Sequence, residues 1–242
     1  MSIFVIINGI HKQSGSPDTL SIDQGVRMSL STMISTMSAG MLKTFLIFAL
    51  TLIGSLPLGM VVALLRKSRF APVRAVVRAY ISIMRGTPLM LQLLCWYFGP
   101  YYLFGMNIGN WRFPAIGVGF VLNYAAYFAE IYRGGIESIP VGQYEAAEVL
   151  GYTKVQTFMR IILPQVIKII MPSVTNEVIT LVKDTSLAFT LAYQEVFSLA
   201  KQISASQTSF MPFLIAGIFY FVANYVVEIV MIRIEKSMDY YK

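Results

Sequence analysis

The sequence predicts an all-α integral membrane protein. Composition, long uncharged stretches and the placement of basic residues carry that prediction. Of 242 residues, 56% are hydrophobic and only 13% charged, a balance outside the range of soluble domains. A helix needs about 20 mostly apolar residues to cross the hydrocarbon core, and five stretches are assigned as spans. Between Asp23 and Glu130 there is no acidic residue, yet Arg66, Lys67, Arg69, Arg74 and Arg78 crowd one connection, which the positive-inside rule assigns to the cytoplasm.

The elements follow in order. Residues 1–40 form a lead-in. Ile3 to Ile10 is too short for a signal-peptide core, and HKQSGSPD is a polar, turn-rich break. Gln24 to Ala39 mixes Met, Ile and Leu with Ser and Thr, which fits either an amphipathic helix on the outer surface or a loosely ordered approach to the first span. Residues 41–242 form the membrane domain. Its spans are Thr44 to Leu65, Pro88 to Phe104, Phe113 to Ile131, Gln165 to about Leu181, and Pro212 to Ile232. The fourth is the most polar, with Lys168, Asn176, Glu177 and Thr180. An odd count puts the N-terminus outside and the C-terminus, with Arg233, Lys236 and Lys242, inside. Trp96, Tyr101, Tyr102 and Trp111 near span ends read as interfacial anchors.

The net charge of +7 reflects this topology, because the basic residues flank spans and form no stripe with interleaved aromatics; nucleic acid is not an expected partner. One histidine, His11, and one cysteine, Cys95, exclude zinc sites built from several cysteines or histidines, an internal disulfide and a CxxC redox pair. Cys95, within LLCWYF, reads as a small buried hydrophobe, and His11 as a surface residue. No GxxxxGK[ST] phosphate loop is present, so any nucleotide is expected to be bound by another protein.

The segment 134–164 interrupts the apolar pattern on the cytoplasmic side. In EAAEVLG, Ala146 and Ala147 favour helix, Val149 and Leu150 offer an apolar edge, and Gly151 suits the left-handed residue that ends a helix. Two readings stand on these residues alone: a short helix docking in a partner's groove, and an ordinary capped surface helix. Pro164 suits the first turn of the next helix.

The pattern E-A-A, three residues, G, nine residues, I-x-L-P is filled by Glu145, Ala146, Ala147, Gly151, Ile161, Leu163 and Pro164. In this it resembles the permease subunits of ABC importers. RGTPLMLQL, AYFAEIYRGGIESIPVGQYEAAEVLG and KDTSLA resemble the branch that takes up polar amino acids, and the resemblance runs from about Gly40 to the C-terminus. It implies the five-transmembrane-helix importer permease fold and a coupling helix at these seven positions that docks on a separate ATP-binding cassette subunit. The implied partners are a pair of such ATPases, a second permease subunit (the same chain or a different one) and an external solute-binding protein. ATP and magnesium would be held by the ATPase; the chain itself would be no enzyme and carry no cofactor or metal. Transport would proceed by alternating access.

Helical spacing locates a candidate cargo site. At 100° per residue, Asn176, Glu177, Thr180, Lys183 and Asp184 share a sector of about 120° on the fourth span. Lys183 would receive a substrate carboxylate, Asp184 its ammonium group, and Ser186 would add a hydrogen bond. The alternative places Lys183 and Asp184 at the outer interface, solvated or paired. Gln92, and Asn123, Tyr127 and Glu130 on one face of the third span, either line the pathway or bond between helices. Gln194 joins the candidate substrate residues, and with Glu195 fits an outer gate or receptor contact. Ionisable groups within spans also suit an ion-gradient carrier or channel, and a membrane scaffold is a third class; neither requires the E-A-A segment.

Overall fold

The protein is a computed structural model in which residues 28–238 are described. Most of them are helical, with no strand among them. The first helix, α1 (Leu30–Arg66), starts where Ser29 accepts a hydrogen bond from the Thr32 amide. At 37 residues it is about 55 Å long. The expected boundary at residue 40 therefore falls inside a helix; the earlier part of the lead-in, through residue 27, lies outside the described residues. Residues 30–40 join α1 because they have something to pack against. Met33, Met37 and Met41 are buried with Val196, Ala200 and Ile215, and a Cβ at Gly40 would lie 3.1 Å from the Val196 backbone nitrogen.

After a basic turn come α2 (Ala71–Gly86) and α3 (Leu89–Phe104), separated by extended backbone at Thr87 and Pro88. A proline forces its predecessor out of the helical region, and this sets the break. The second expected span is thus a 16-residue helix, about 24 Å, shorter than the roughly 30 Å hydrocarbon core. Four helical runs are long and apolar enough to cross alone: Leu30–Arg66, Arg112–Glu137, Lys154–Leu191 and Met211–Ser237.

The centre is α4 (Arg112–Glu137), whose Phe120, Tyr124, Phe128 and Ile136 are buried in the main core. It runs parallel to α1, as the successive contacts Leu50 to Gly117, Gly54 to Val121 and Gly59 to Phe128 show. At Gly59 a side chain would meet backbone, 3.1 Å from the Ala125 oxygen, so the helices touch along a ridge of small residues as membrane helices do. A short α5 (Val141–Val149) and α6 (Lys154–Thr157) follow. From α6 a π-helical turn, Phe158–Ile162, leads without a break into α7 (Leu163–Asp184) and a 3-10 segment, Thr185–Leu191. The fourth span is therefore part of a 38-residue run, which packs antiparallel to α4 with Gly135 against Ile170 and Tyr124 beside Asp184. The described residues end with α8 (Val196–Gln207) and α9 (Met211–Ser237).

The outside of this bundle is apolar. Leu42, Ile53, Leu103 and Phe221 are each at least 72% exposed, and α9 buries only Pro212, Ile215, Ala216 and Ala223. Surface of that kind suits lipid or a partner helix, not water. Cys95 belongs to it. The cysteine is exposed because the buried side of α3 is taken by Gln92 and Leu93, which corrects the buried position expected from its neighbours.

Candidate functional site: transmission segment and polar stripe

The E-A-A segment folds as a helix with a defined stop. Gly151, at φ +79, donates to the Glu148 oxygen at 2.9 Å, and the Tyr152 amide donates to Ala147 at 3.0 Å. This pair of bonds is the Schellman termination, and its left-handed residue favours glycine. Thr153 then starts α6 with a reciprocal cap: its hydroxyl accepts from the Gln156 amide while the Gln156 side chain accepts from the Thr153 amide.

The seven motif residues divide by exposure. Glu145, Ala146 and Gly151 are exposed, Ala147 is 1% exposed, and Ile161, Leu163 and Pro164 are half-buried. Ala147 thus faces inward toward the following turns. The uncovered face is instead completed by Val149 (87% exposed) and Leu150 (73%), with Val155 (72%) nearby. Pro164 does not open a free helix end. It lies just after the π turn, where Leu163 donates to the Phe158 oxygen and the Gln165 side chain donates to the Ile161 carbonyl at 2.8 Å. The wider turn accommodates a residue without an N–H inside a continuous helix. Ile161 and Pro164, with Gln143, Arg160, Gln165 and Lys168, line a groove of about 500 Å³ beside α5.

The polar stripe lies on a face of α7 that its own chain leaves largely open. Asn176, Thr180 and Lys183 are exposed, and Glu177 and Asp184 half-buried. The Asp184 carboxylate accepts a hydrogen bond from the Tyr124 hydroxyl at 2.7 Å, which turns it toward α4. Ser186 donates to the Lys183 carbonyl at 2.8 Å, and Gln194 is exposed. Gln92 sits apart from these. Its amide nitrogen donates to the Met84 and Thr87 carbonyls and the Thr87 hydroxyl, and its oxygen accepts from Asn123 at 3.0 Å. Asn123 also donates to Met84 at 3.0 Å. Both amides therefore satisfy carbonyls freed at the break between α2 and α3, the interhelical role that was one of their two readings.

Two further carboxylates organise the ends of the bundle. Near the Arg66 end, Glu130 is 2.8 Å from Arg66, 2.8 Å from Arg133 and 3.8 Å from Arg85. Arg133 also pairs with Glu137, and the Arg85 guanidinium lies 5.3 Å from the Tyr127 ring centroid. At the Leu30 end, Glu195 is wholly buried. It caps α8 by accepting from the Ser198 and Phe197 amides at 2.6 and 2.7 Å, and accepts from the Tyr220 hydroxyl at 2.9 Å. Burial pushes its carboxyl above the usual carboxylate range, against these donors, which favour the charged form. Glu195 is thus a structural cap and no exposed gate or receptor contact. Tyr124 and the arginines around Glu130 were missed as partners. Tyr124 reads as core in sequence, and pairs 45 to 64 positions apart, as Arg85 and Arg66 are from Glu130 and Tyr124 is from Asp184, carry no local pairing signal; Arg133, three positions from Glu130, is the one partner that helical spacing offered.

An all-helical chain with an apolar exterior, a capped helix-turn projecting at one end and a polar stripe on an open helix face is a membrane-embedded transport subunit. Residues 55–240 match the family of binding-protein-dependent transport system inner membrane components, and the chain belongs to that family. It is 36% identical to the L-cystine transport system permease protein TcyB of Bacillus subtilis over 85% of this chain and 87% of that protein. It is also 36% identical to the arginine transport system permease protein ArtQ of the same organism, over 82% of this chain and 90% of that one. A crystal structure of an amino acid ABC transporter with histidines superposes with a TM-score of 0.79 at 31% identity, covering 87% of this chain and 98% of that chain. The chain is accordingly an ABC importer permease, and the ion-carrier and scaffold readings give way. Family membership implies an ATPase and a substrate-binding protein as partners.

Proposed function

We infer that this subunit carries a polar amino acid across the inner membrane in a complex with two ATPases, a second permease and an external binding protein. ATP and magnesium belong to the ATPases, and this chain makes and breaks no covalent bond. The basic turn at Arg66–Arg78 and the α5 segment face the cytoplasm, and α3 with the end of α2 completes a fifth crossing, leaving the N-terminus outside. Relatives named for cystine and arginine support an amino-acid cargo.

The observation that carries the coupling role is the uncovered apolar edge of Val149 and Leu150 beside Glu145 and Ala146. Apolar side chains projecting from a rigidly terminated helix suit a groove on a partner. Leu150→Arg is expected to abolish co-purification with the ATPase while the subunit still elutes as a folded species in detergent. Retained association would remove this face from the docking surface. Ala147→Arg is a poorer probe, because that residue is buried.

For the cargo, Lys183 and Asp184 offer charges of both signs to a zwitterion, with Ser186 adjacent and Gln194 beyond. Asp184→Asn is expected to abolish uptake in reconstituted vesicles with ATPase assembly intact. Unchanged uptake would rule out Asp184 as the ammonium ligand.

A further inference from the structure

Glu130 is an unusual residue to find between helices, because cations from three elements converge on it. Arg66 comes from the last turn of α1, Arg85 from the last turn of α2, and Arg133 from α4 itself. Arg133 extends the chain of contacts to Glu137, the last residue of α4, after which Ser138 to Pro140 lead directly into α5. The cluster therefore lies on the covalent path between the transmission segment and the bundle. Three cations face two carboxylates, so removing the Glu130 charge leaves like charges crowded together, which is unfavourable. Arg85 is the loosest member, at 3.8 Å and 44% exposed, and it also reaches the Tyr127 ring on the face of α4 near Tyr124 and Asp184.

We propose that Glu130 is a positioning residue for transport: its ion pairs with Arg66 and Arg85 clasp the cytoplasmic end of α1 and the last turn of α2 to α4, and the clasp opens when the α5 segment moves. The clasp suits that task because its ion pairs are made by long side chains converging on one carboxylate, so that loss of Arg66 or Arg85 leaves Glu130 still paired with Arg133. It biases a two-state bundle toward the clasped arrangement until the ATPase supplies the opposing force. This rests on the permease reading above.

The test uses the full complex in nanodiscs, with spin labels at Lys67 and Ser138 in a Cys95→Ser background. Without nucleotide, Glu130→Gln is expected to shift the label distances toward the distribution that the otherwise unsubstituted complex adopts with ATP. The ratio of receptor-stimulated to basal ATP hydrolysis is expected to fall at least threefold. The reversed pair Glu130→Arg with Arg66→Glu is expected to recover part of that ratio, an outcome that mere loss of packing would not give. If Glu130→Gln does not assemble, the double variant Arg66→Gln, Arg85→Gln, which keeps Arg133 on Glu130, is expected to show the same uncoupling. Distances and ATPase ratios equal to the unsubstituted complex in whichever variant assembles would overturn the clasp. Failure of the unsubstituted chain to assemble with any ATPase would instead overturn the permease reading.

Discussion

Glu195 and Glu130 are both carboxylates lodged among apolar helices, at opposite ends of α1. Glu195 has no exposure, and its partners are two backbone amides and a tyrosine hydroxyl held by packing. Glu130 keeps some access to solvent, and its partners are guanidinium groups on long side chains from separate helices. The first arrangement has little freedom to rearrange, since each donor would be left buried and unpaired. The second exchanges partners at low cost. A bundle that holds one end while the other moves can use both kinds of carboxylate, and the exchangeable one stands on the helix that leads into α5, the segment proposed to meet the ATPase.

Stability measurements can break this comparison. Glu195→Ala is expected to have the largest effect, about 3 kcal/mol, because it strands two amides and removes a helix cap. In fluorescence-detected unfolding in detergent this should lower the midpoint by about 6–12 °C; a drop comparable to that of a surface substitution would show the knot to be loose. Tyr220→Phe removes one bond to the same carboxylate and should cost about 1.5 kcal/mol, or roughly 3–6 °C in the same assay. Glu130→Gln should cost less than about 1 kcal/mol, a shift of about 2 °C. If it melts as early as Glu195→Ala, the two ends are equally rigid and the contrast fails.

Most of the architecture was legible, because lipid and water impose such different demands on side chains. Four of the five expected spans lie within helices long enough to cross, and the Gly151 stop was readable from one residue. Helix extents were less legible. α1 begins at Leu30, and α7 is continuous with α6, because tertiary packing against α8 and a π-helical turn at Phe158–Ile162 override the local breaks. Ala147 was assigned with its neighbours to the docking face, yet periodicity within nine residues does not tell which face the chain itself will cover. Pairings such as Tyr124 with Asp184 were beyond reach for a different reason. They depend on how α4 and α7 lie antiparallel, which no single stretch of sequence encodes.

Val149 and Leu150 have a further consequence, for the chain that finds no ATPase. If α5 docks on an ATPase as proposed, an orphan subunit would carry that bare edge into the cytosol, where it invites aggregation and capture by the machinery that clears misassembled protein. The same two side chains would then set how much transporter the cell keeps, tying the permease's lifetime to the supply of its motor.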